Sequence, residues 1–153
     1  MPYQIERVED LEEHWPDLWR LFQGIVDYHE PLTGERLQSG AEEAWRAHLT
    51  RQHGLVLLVR DEHGRAIGMA FAEERENPTL GLRYGMLDTA YVEEAHRRAG
   101  VGQLMTEEVE RWCRQRRLSR LDLTVRAANI DGTTAWRALG FRDDSIRMRK
   151  DLT

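Results

Sequence analysis

Residues 97–102 form a glycine turn whose composition suits the binding of a phosphate group. The turn, Arg-Arg-Ala-Gly-Val-Gly, follows an apolar run that ends at Val92 and precedes an amphipathic run that opens at Gln103. Glycines at alternate positions leave backbone N–H groups unobstructed, and a helix that begins here adds its unpaired first-turn N–H groups and the positive end of its dipole. The pattern therefore predicts a strand, a pyrophosphate-binding turn and a helix in succession.

Three kinds of phosphate-binding turn contain two such glycines, and the neighbouring residues separate them. A dinucleotide-binding fingerprint needs a third glycine or alanine where this chain has Met105. A Walker loop needs lysine followed by serine or threonine, whereas the only lysine of the chain is Lys150. The spacing that remains is R-x-x-G-x-G after a strand.

A second pattern lies downstream of the glycine turn. Asn129 follows an apolar stretch, Trp136 comes seven residues later, and a Leu-Gly-Phe sequence closes at Phe141. Seven residues are about two helical turns, so Asn129 and Trp136 share one helix face, and Gly140 suits the left-handed position that ends a helix. The two patterns, in this order, resemble the GNAT superfamily of N-acetyltransferases over about the last 70 residues, and in outline before them.

The apolar periodicity predicts ten elements that would position these residues. Strands are predicted over residues 3–8, 55–59, 66–74, 82–92, 121–125 and 146–152. Helices are predicted from Leu11 until Pro31 stops the run, over 41–52, from Val101 past Cys113, and over 131–139. This order matches the resemblance, which implies one α/β domain over residues 1–153. Its mixed, twisted sheet would be splayed between the fourth and fifth strands, with helices on both faces.

The resemblance implies acetyl-CoA as the acyl donor. Diverging strands leave backbone groups unpaired, so the pantothenate arm would lie against the fourth strand like an added strand. The turn amides would hold the pyrophosphate, and Asn129 would hydrogen-bond the arm from the opposite side, although asparagine here is alternatively a helix cap. The expected cofactor-binding residues are Tyr91, Val92, Arg97, Arg98, Ala99, Gly100, Val101, Gly102, Gln103, Asn129 and Trp136.

Direct attack of an amine on a thioester needs a base, because an alkyl amine with a pKa near ~10 is mostly protonated at neutral pH. Asp88, on the strand that leads to the turn, is the first candidate. A strand carboxylate is alternatively a solvent-facing or ion-paired group. Glu93 and Glu94 flank the turn and are the second candidates.

Three further side chains are expected on the acceptor side. Glu73 and Glu74 end the neighbouring strand and would contact the positive charge of the amine. His29 ends the first helix, where the resemblance places a wall of the acceptor pocket, and it is alternatively a polar helix end. A polyamine, an amino acid, an aminoglycoside and a protein amine are all open as acceptors.

The chain departs from the family pattern at Trp136, where many members carry a tyrosine that protonates the leaving thiolate. The indole N–H has no proton that it can usefully release, so no general acid is assigned. Trp136 is alternatively a packing residue. The departure leaves a second function open, a non-catalytic acyl-CoA-binding module of the same fold, and the identity of the acyl group is open as well.

Charge is unevenly divided along the chain. The net charge of −5 argues against a general nucleic-acid binder. Residues 1–95 carry 19 acidic and 9 basic side chains, a net of −10, whereas residues 96–153 carry 8 acidic and 13 basic, a net of +5. The cationic half contains the phosphate turn, and the anionic half suits a protonated amine rather than a charged tRNA. Chance clustering of surface charge is the alternative.

Cysteine and histidine usage points away from disulfides and metal. Cys113 is the only cysteine, so no internal disulfide can form and a reducing compartment is indicated. The six histidines show no zinc-ligand spacing. With no targeting segment and no apolar window of membrane length, we expect a cytoplasmic protein without a membrane partner.

The resemblance also suggests a homodimer. The apolar final strand is one candidate contact, and Trp15, Trp19 and Trp45 are further candidate anchors. Trp15 and Trp19, spaced i and i+4, are more simply core residues of the first helix.

Overall fold

The computed structural model describes residues 2–153. Five strands are present: β1 (Gln4–Arg7), β2 (Leu55–Arg60), β3 (Ala66–Asn77), β4 (Leu82–Val92) and β5 (Leu121–Leu123). Four α-helices accompany them: α1 (Leu11–Thr33), α2 (Ala41–Gln52), α3 (Val101–Gln115) and α4 (Ile130–Ala138). A short 3₁₀ turn over Glu94–His96 joins β4 to the glycine turn. No helix of residues 2–153 is both long and apolar enough to cross a bilayer.

The strands form one mixed sheet with helices on both faces. Their order is β1-β2-β3-β4-β5, and every neighbouring pair is antiparallel except β4 and β5, which are parallel. Two core clusters lie on opposite faces of this sheet, one beneath α1 and α2 and the other beneath α3. The predicted single-domain α/β fold is confirmed.

Strand β2 shows how the sequence builds both cores. Leu57 and Val59 belong to the cluster beneath α3, whereas Val56 and Leu58 belong to the cluster beneath α1 and α2. Successive side chains of a strand point to opposite faces, so a strand covered on both sides is apolar at every position. All five residues from 55 to 59 are buried accordingly.

The tryptophans proposed as surface anchors belong instead to the core beneath α1 and α2. Trp15 and Trp45 are only 6% and 7% exposed. Trp45 stacks on Phe22 with ring centroids 4.2 Å apart, and Trp19 stacks on the same phenylalanine. Trp15 and Trp45 therefore expose little surface to a partner, and the packing agrees with the alternative that Trp15 and Trp19 are core residues of the first helix.

The splay predicted between the fourth and fifth strands is present. β4 pairs with β5 only over three residues, Gly85 to Leu87, and its remaining residues pair with β3 alone. The parting begins at a β-bulge: Thr89 lies opposite Phe71 and Leu87 opposite Ala72, so Asp88 is an extra residue on β4. A bulge bends and twists its strand, which turns the end of β4 away from β5.

Two predicted boundaries are wrong for identifiable reasons. Helix α1 continues through Pro31 to Thr33 and ends at Gly34, which has φ +74° and donates its N–H to the carbonyl of Glu30. Pro31 removes one intrahelical hydrogen bond without ending the helix, and the left-handed Gly34 ends it instead. Strand β5 ends at Leu123 rather than at residue 125, because the chain beyond it has left β4.

The predicted last strand over residues 146–152 is absent. This segment lies in no strand, and its large apolar residues Ile146, Met148 and Leu152 are 82%, 84% and 88% exposed. An alternation of apolar and polar residues is typical of a strand. A strand forms, however, only when its backbone N–H and C=O groups pair with a neighbouring strand.

Gly85 allows α3 to approach the short β4–β5 pairing. A Cβ added at this glycine would lie 2.7 Å from the Cys113 sulfur and 3.2 Å from Leu121 Cδ1. Burial also raises the pKa of the Cys113 thiol to about 11. The thiol is therefore a packing group that stays protonated at neutral pH.

We predict that Gly85→Ala lowers the free energy of unfolding by about 1–3 kcal/mol, because the new methyl group overpacks this contact. Cys113→Ala removes the opposing sulfur, so the double variant should lose less than the sum of the two single losses. Denaturant unfolding of all four proteins measures the coupling. Strictly additive losses would show that the sulfur does not limit the approach of α3.

Candidate functional site

A cavity of about 350 Å³ lies where β4 and β5 part. Its walls come from α1, from residues 87–90 of β4, from the chain that follows β5 and from α4. Apolar side chains make up half of this lining. The polar half includes His29, Glu35, Asp88, Arg126 and Asn129. An apolar cleft with a few convergent polar groups is the usual form of a small-molecule site.

The carboxylate of Asp88 lies in the cavity wall and is held from two elements. Its Oδ2 lies 3.6 Å from His48 Nε2 on α2 and accepts a hydrogen bond from the Thr89 hydroxyl at 3.3 Å. Its Oδ1 lies 3.8 Å from Nη2 of Arg75 on β3. The predicted base thus lies at the parting of the strands, and the contacts on both oxygens restrict its rotamer.

Arg75 links Asp88 to a buried carboxylate. Its Nε donates to Glu73 Oε1 at 2.7 Å. Burial opposes ionisation of Arg75, but the hydrogen bond and charge of Glu73, together with the charge of Asp88, raise the pKa of the guanidinium. Glu73 is 3% exposed, and its Oε2 has no hydrogen-bond partner within residues 2–153. Glu73 therefore supports Asp88 through Arg75 rather than lining the cavity.

His29 and an ion pair border the cavity from the side of α1. His29 Nδ1 lies 2.9 Å from the carbonyl of Ile25, one helical turn back, which leaves its Nε2 for other partners. Glu35, just after α1, is ion-paired with Arg126, which follows β5. This ion pair joins the two walls, and His29 lies in the cavity lining beside them.

The side-chain oxygen of Asn129 accepts hydrogen bonds from two helices. Its Oδ1 accepts hydrogen bonds from the Tyr28 hydroxyl of α1 and from the Gly132 amide of α4, both at 2.9 Å. The capping role is thus real, and it leaves the Nδ2 group available as a donor. A side chain at Gly132 would overlap the Asn129 amide.

Trp136, on α4, lines the cavity. It is partly buried against the core beneath α3, and the Phe141 ring meets it edge-on with centroids 5.6 Å apart. Trp136 therefore packs on the core and also presents part of its side chain to the cavity.

The glycine turn gives α3 an uncapped N-terminus. Gly100, the N-cap residue, has φ +83° and no side-chain cap, and no acidic residue lies in the first turn. Arg98 also adopts a positive φ, +63°. Two left-handed residues in a short turn direct successive N–H groups to one side, and an uncapped helix N-terminus attracts anions. The turn therefore fits the diphosphate that the sequence pattern predicted.

The predicted contacts at the end of β4 are partly taken by Arg97. Its Nε donates to the Val92 carbonyl at 2.9 Å, and its guanidinium lies over the rings of Tyr28 and Tyr91, 5.0 Å and 5.6 Å from their centroids. Arg97 thus secures the end of β4 to α1. Beyond Leu87, β4 is paired with β3 on one side only. Its other side, over residues 88–92, faces no strand within residues 2–153 and is called here the open side of β4.

Like Glu73, three other predicted carboxylates lie outside the cavity. Glu93 is ion-paired with Arg20 and Arg65, each at 3.0 Å. Glu94 is an exposed residue of the 3₁₀ turn. Glu74 is bound by two arginines; burial opposes the shift, but their hydrogen bonds lower the pKa of its carboxyl.

Three residues that complete this arrangement were not predicted from the sequence. His48, Tyr28 and Arg75 contact the predicted residues from separate elements. The packing of α1 and α2 on the sheet brings Tyr28 and His48 there, and the pairing of β3 with β4 brings Arg75. A histidine on an amphipathic helix, or an arginine near the end of a strand, belongs to no sequence motif that would identify it as a site residue.

Comparisons with known proteins agree with this geometry. The model of the Acetyltransferase (GNAT) family matches residues 10–141. The aminoglycoside N(6')-acetyltransferase type 1 of Acinetobacter haemolyticus is 31% identical over 98 residues, which span 62% of this chain and 67% of that protein.

Solved structures share the whole fold. The tetramutant of the BH1408 protein from Bacillus halodurans superposes with a TM-score of 0.84 at 18% identity, covering 97% of this chain and 99% of that one. The aminoglycoside 6'-N-acetyltransferase AAC(6')-Ih from Acinetobacter baumannii gives a TM-score of 0.71 at 22% identity, with 99% of both chains covered. The family match over most of the chain settles the assignment: this protein belongs to the GNAT family of acetyltransferases and is an acyltransferase enzyme.

Proposed function

We propose that this enzyme transfers an acetyl group from acetyl-CoA to a primary amine of a small polycationic acceptor, such as an aminoglycoside or a polyamine. The observation that carries the proposal is the position of Asp88. Its carboxylate lies in the cavity wall at the bulge where β4 leaves β5. A base placed there faces both the open strand edge and the acceptor side of the cleft.

The residues along the open side of β4 fit a CoA molecule. Apart from the Val92 carbonyl, which accepts a hydrogen bond from Arg97, the open side of residues 88–92 would offer backbone groups to an extended pantetheine arm, and Asn129 Nδ2 would offer a donor from the opposite wall. The amides at the start of α3 would hold the diphosphate. When bound, acetyl-CoA supplies an acetyl group activated as a thioester.

The chain's own part in the reaction is to position the amine and remove its proton. Asp88 accepts that proton, directly or through a water molecule, so that the nitrogen lone pair becomes available. His48 and Arg75 act as positioning residues, because their contacts with the two carboxylate oxygens fix the direction of Asp88. Alignment of the reacting groups in the cleft supplies the larger share of the acceleration.

Charge favours a cationic acceptor. Residues 1–95 include α1, α2 and strands β1 to β4. They carry 19 acidic and 9 basic side chains, a net charge of −10. Asp88 brings a carboxylate to the cavity itself, whereas Glu35 is ion-paired with Arg126 of the same lining. The relative from Acinetobacter haemolyticus is an aminoglycoside acetyltransferase, which supports an acceptor of this chemistry.

Release of CoA thiol across a panel of amines tests the proposal. The panel contains aminoglycosides, polyamines, amino acids and a lysine peptide, and a thiol reagent reports free CoA. The protein's own Cys113 is buried with a pKa of about 11, so it contributes little to the signal. Turnover limited to polycationic amines supports the proposal. Binding of acetyl-CoA without turnover of any amine would instead indicate an acyl-CoA-binding module.

We predict that Asp88→Asn lowers kcat by about 10²–10⁴-fold while leaving the affinity for acetyl-CoA within about threefold, because the amide cannot accept the proton. The matched control is Asp122→Asn on β5, whose carboxylate pairs with Arg120 at 2.8 Å and does not line the cavity. Steady-state kinetics of both variants gives the comparison. Equal kcat values for the two variants would show that Asp88 is not the base of the reaction.

The phosphate turn can be tested without disturbing the fold. A Cβ added at Gly102 would meet only Leu139 Cδ1, at 3.9 Å. We predict that Gly102→Glu keeps or raises Tm, since an acid in the first turn favours the helix dipole by about 0.3–1 kcal/mol. The same variant should raise KM for acetyl-CoA at least about tenfold by repelling the diphosphate.

Gly102→Gln, of nearly the same shape but uncharged, is the control for this substitution. It should raise KM for acetyl-CoA less than Gly102→Glu does, and the gap should narrow at high salt. Identical KM values for the two variants would show that charge at the start of α3 is irrelevant to the donor.

A further inference from the structure

The face of α1 that lines the cavity carries one titratable side chain within residues 2–153, that of His29. The α1 residues of the lining recur at helical spacing and so share one face: Phe22, Ile25, Val26, His29 and Thr33. The other four have no acid–base chemistry near neutral pH. His29 therefore brings an imidazole to the cavity from a wall other than the β4 wall, which carries Asp88.

The hydrogen bond at Nδ1 shows which ring nitrogen of His29 carries the proton. Nδ1 lies 2.9 Å from the carbonyl oxygen of Ile25, and a carbonyl oxygen only accepts hydrogen bonds. Nδ1 must therefore be the N–H of the neutral ring, which leaves a lone pair on Nε2. In its neutral form, His29 thus offers Nε2 as a base.

Two contacts fix the direction of this imidazole ring. Nδ1 is held by the helix one turn back, and the Tyr28 ring meets the imidazole edge-on with centroids 5.1 Å apart. Tyr28 is itself held by its hydrogen bond to Asn129 and by the guanidinium of Arg97 over its ring. The imidazole is consequently preorganised, as a group that moves protons needs to be.

The acetyl transfer proposed above, on which this inference rests, removes two protons from a protonated amine. The first proton leaves before the attack and exposes the nitrogen lone pair. The second leaves the cationic nitrogen once that nitrogen is bonded to the acetyl carbon. The breaking C–S bond leaves its electron pair on sulfur, which takes up one proton to become a thiol. One proton therefore goes to water, and one passes from nitrogen to sulfur.

Asp88 and His29 are the cavity groups that can carry these protons. Glu35 and Arg126, the other titratable side chains of the lining within residues 2–153, are ion-paired with each other. A carboxylate such as Asp88 accepts one proton at a time, and the indole of Trp136 has none that it can usefully release. A side chain that accepts a proton and then donates it near neutral pH is typically an imidazole.

We infer that His29 is a catalytic residue that carries the second proton. Asp88 takes the first proton from the ammonium group and passes it to water. As the C–N bond forms, Nε2 of neutral His29 accepts the second proton from the nitrogen. As the C–S bond breaks, the imidazolium returns this proton to the sulfur, and His29 is neutral again. The reaction then needs no acid at Trp136.

The proton position on His29 can be measured in the free enzyme. Proton–nitrogen correlation spectra of protein with isotope-labelled histidine report the tautomer of each ring. The His29 signals, identified by their loss in His29→Gln, should show a protonated Nδ1 and an unprotonated Nε2 when the ring is neutral. A neutral ring protonated at Nε2 would overturn the inference, whatever the acceptor of the enzyme is.

Chemical rescue tests the proton transfer itself. With kanamycin or spermidine as the amine, His29→Ala should lower kcat about 100-fold or more, and added imidazole should restore at least about a tenth of the lost rate. Pyrazole has nearly the same shape but is a much weaker base, so it should restore far less. The matched control is His63→Ala, which removes an exposed histidine between β2 and β3 and should respond to neither compound.

The outcomes separate this inference from the proposed function. If the unmodified protein acetylates either amine and His29→Ala keeps its kcat, the role of His29 is overturned while the acetyl transfer stands. Rescue by both compounds alike, or by neither, would show that His29 acts through packing rather than proton transfer. Turnover of neither amine by the unmodified protein would overturn both proposals.

Discussion

The pairing of β4 with β5 over three residues is the constraint on which the site depends. The pairing is short because an extra residue, Asp88, bends β4 at the next position. One backbone irregularity thereby does two things. It opens the sheet where an extended ligand can use the unpaired backbone, and it directs a carboxylate into the opening. Gly85 keeps the paired segment close to α3, so the bend begins from a fixed point.

The two ends of the cleft differ in charge and in the groups that they present. Toward α3, the uncapped helix N-terminus presents amide donors, and no carboxylate lies in its first turn. Toward α1 and α2, Asp88, His48 and Arg75 form a connected set backed by the buried Glu73. A phosphate-rich donor and a cationic acceptor would thus meet from opposite ends, with the transferred group between them.

Local sequence patterns predicted most elements and the glycine turn before α3, because strand and helix periods and tight turns are set by neighbouring residues. Helix α2 and strand β4 were predicted to the residue. The strand predicted over residues 146–152 is absent from the structure, because a strand needs a pairing partner and the pattern of these residues does not contain one. His48 and Tyr28 were missed for a similar reason: their relevance arises from helix packing across the sheet, which no spacing encodes.

The most direct test of the central claim is hydrogen exchange of the full-length protein with and without acetyl-CoA. If the open side of β4 and the start of α3 hold the donor, exchange should slow in residues 88–92 and 98–103 and change little on the outer strand β1. Tight binding that leaves both segments unchanged, or that slows exchange only elsewhere, would contradict the account.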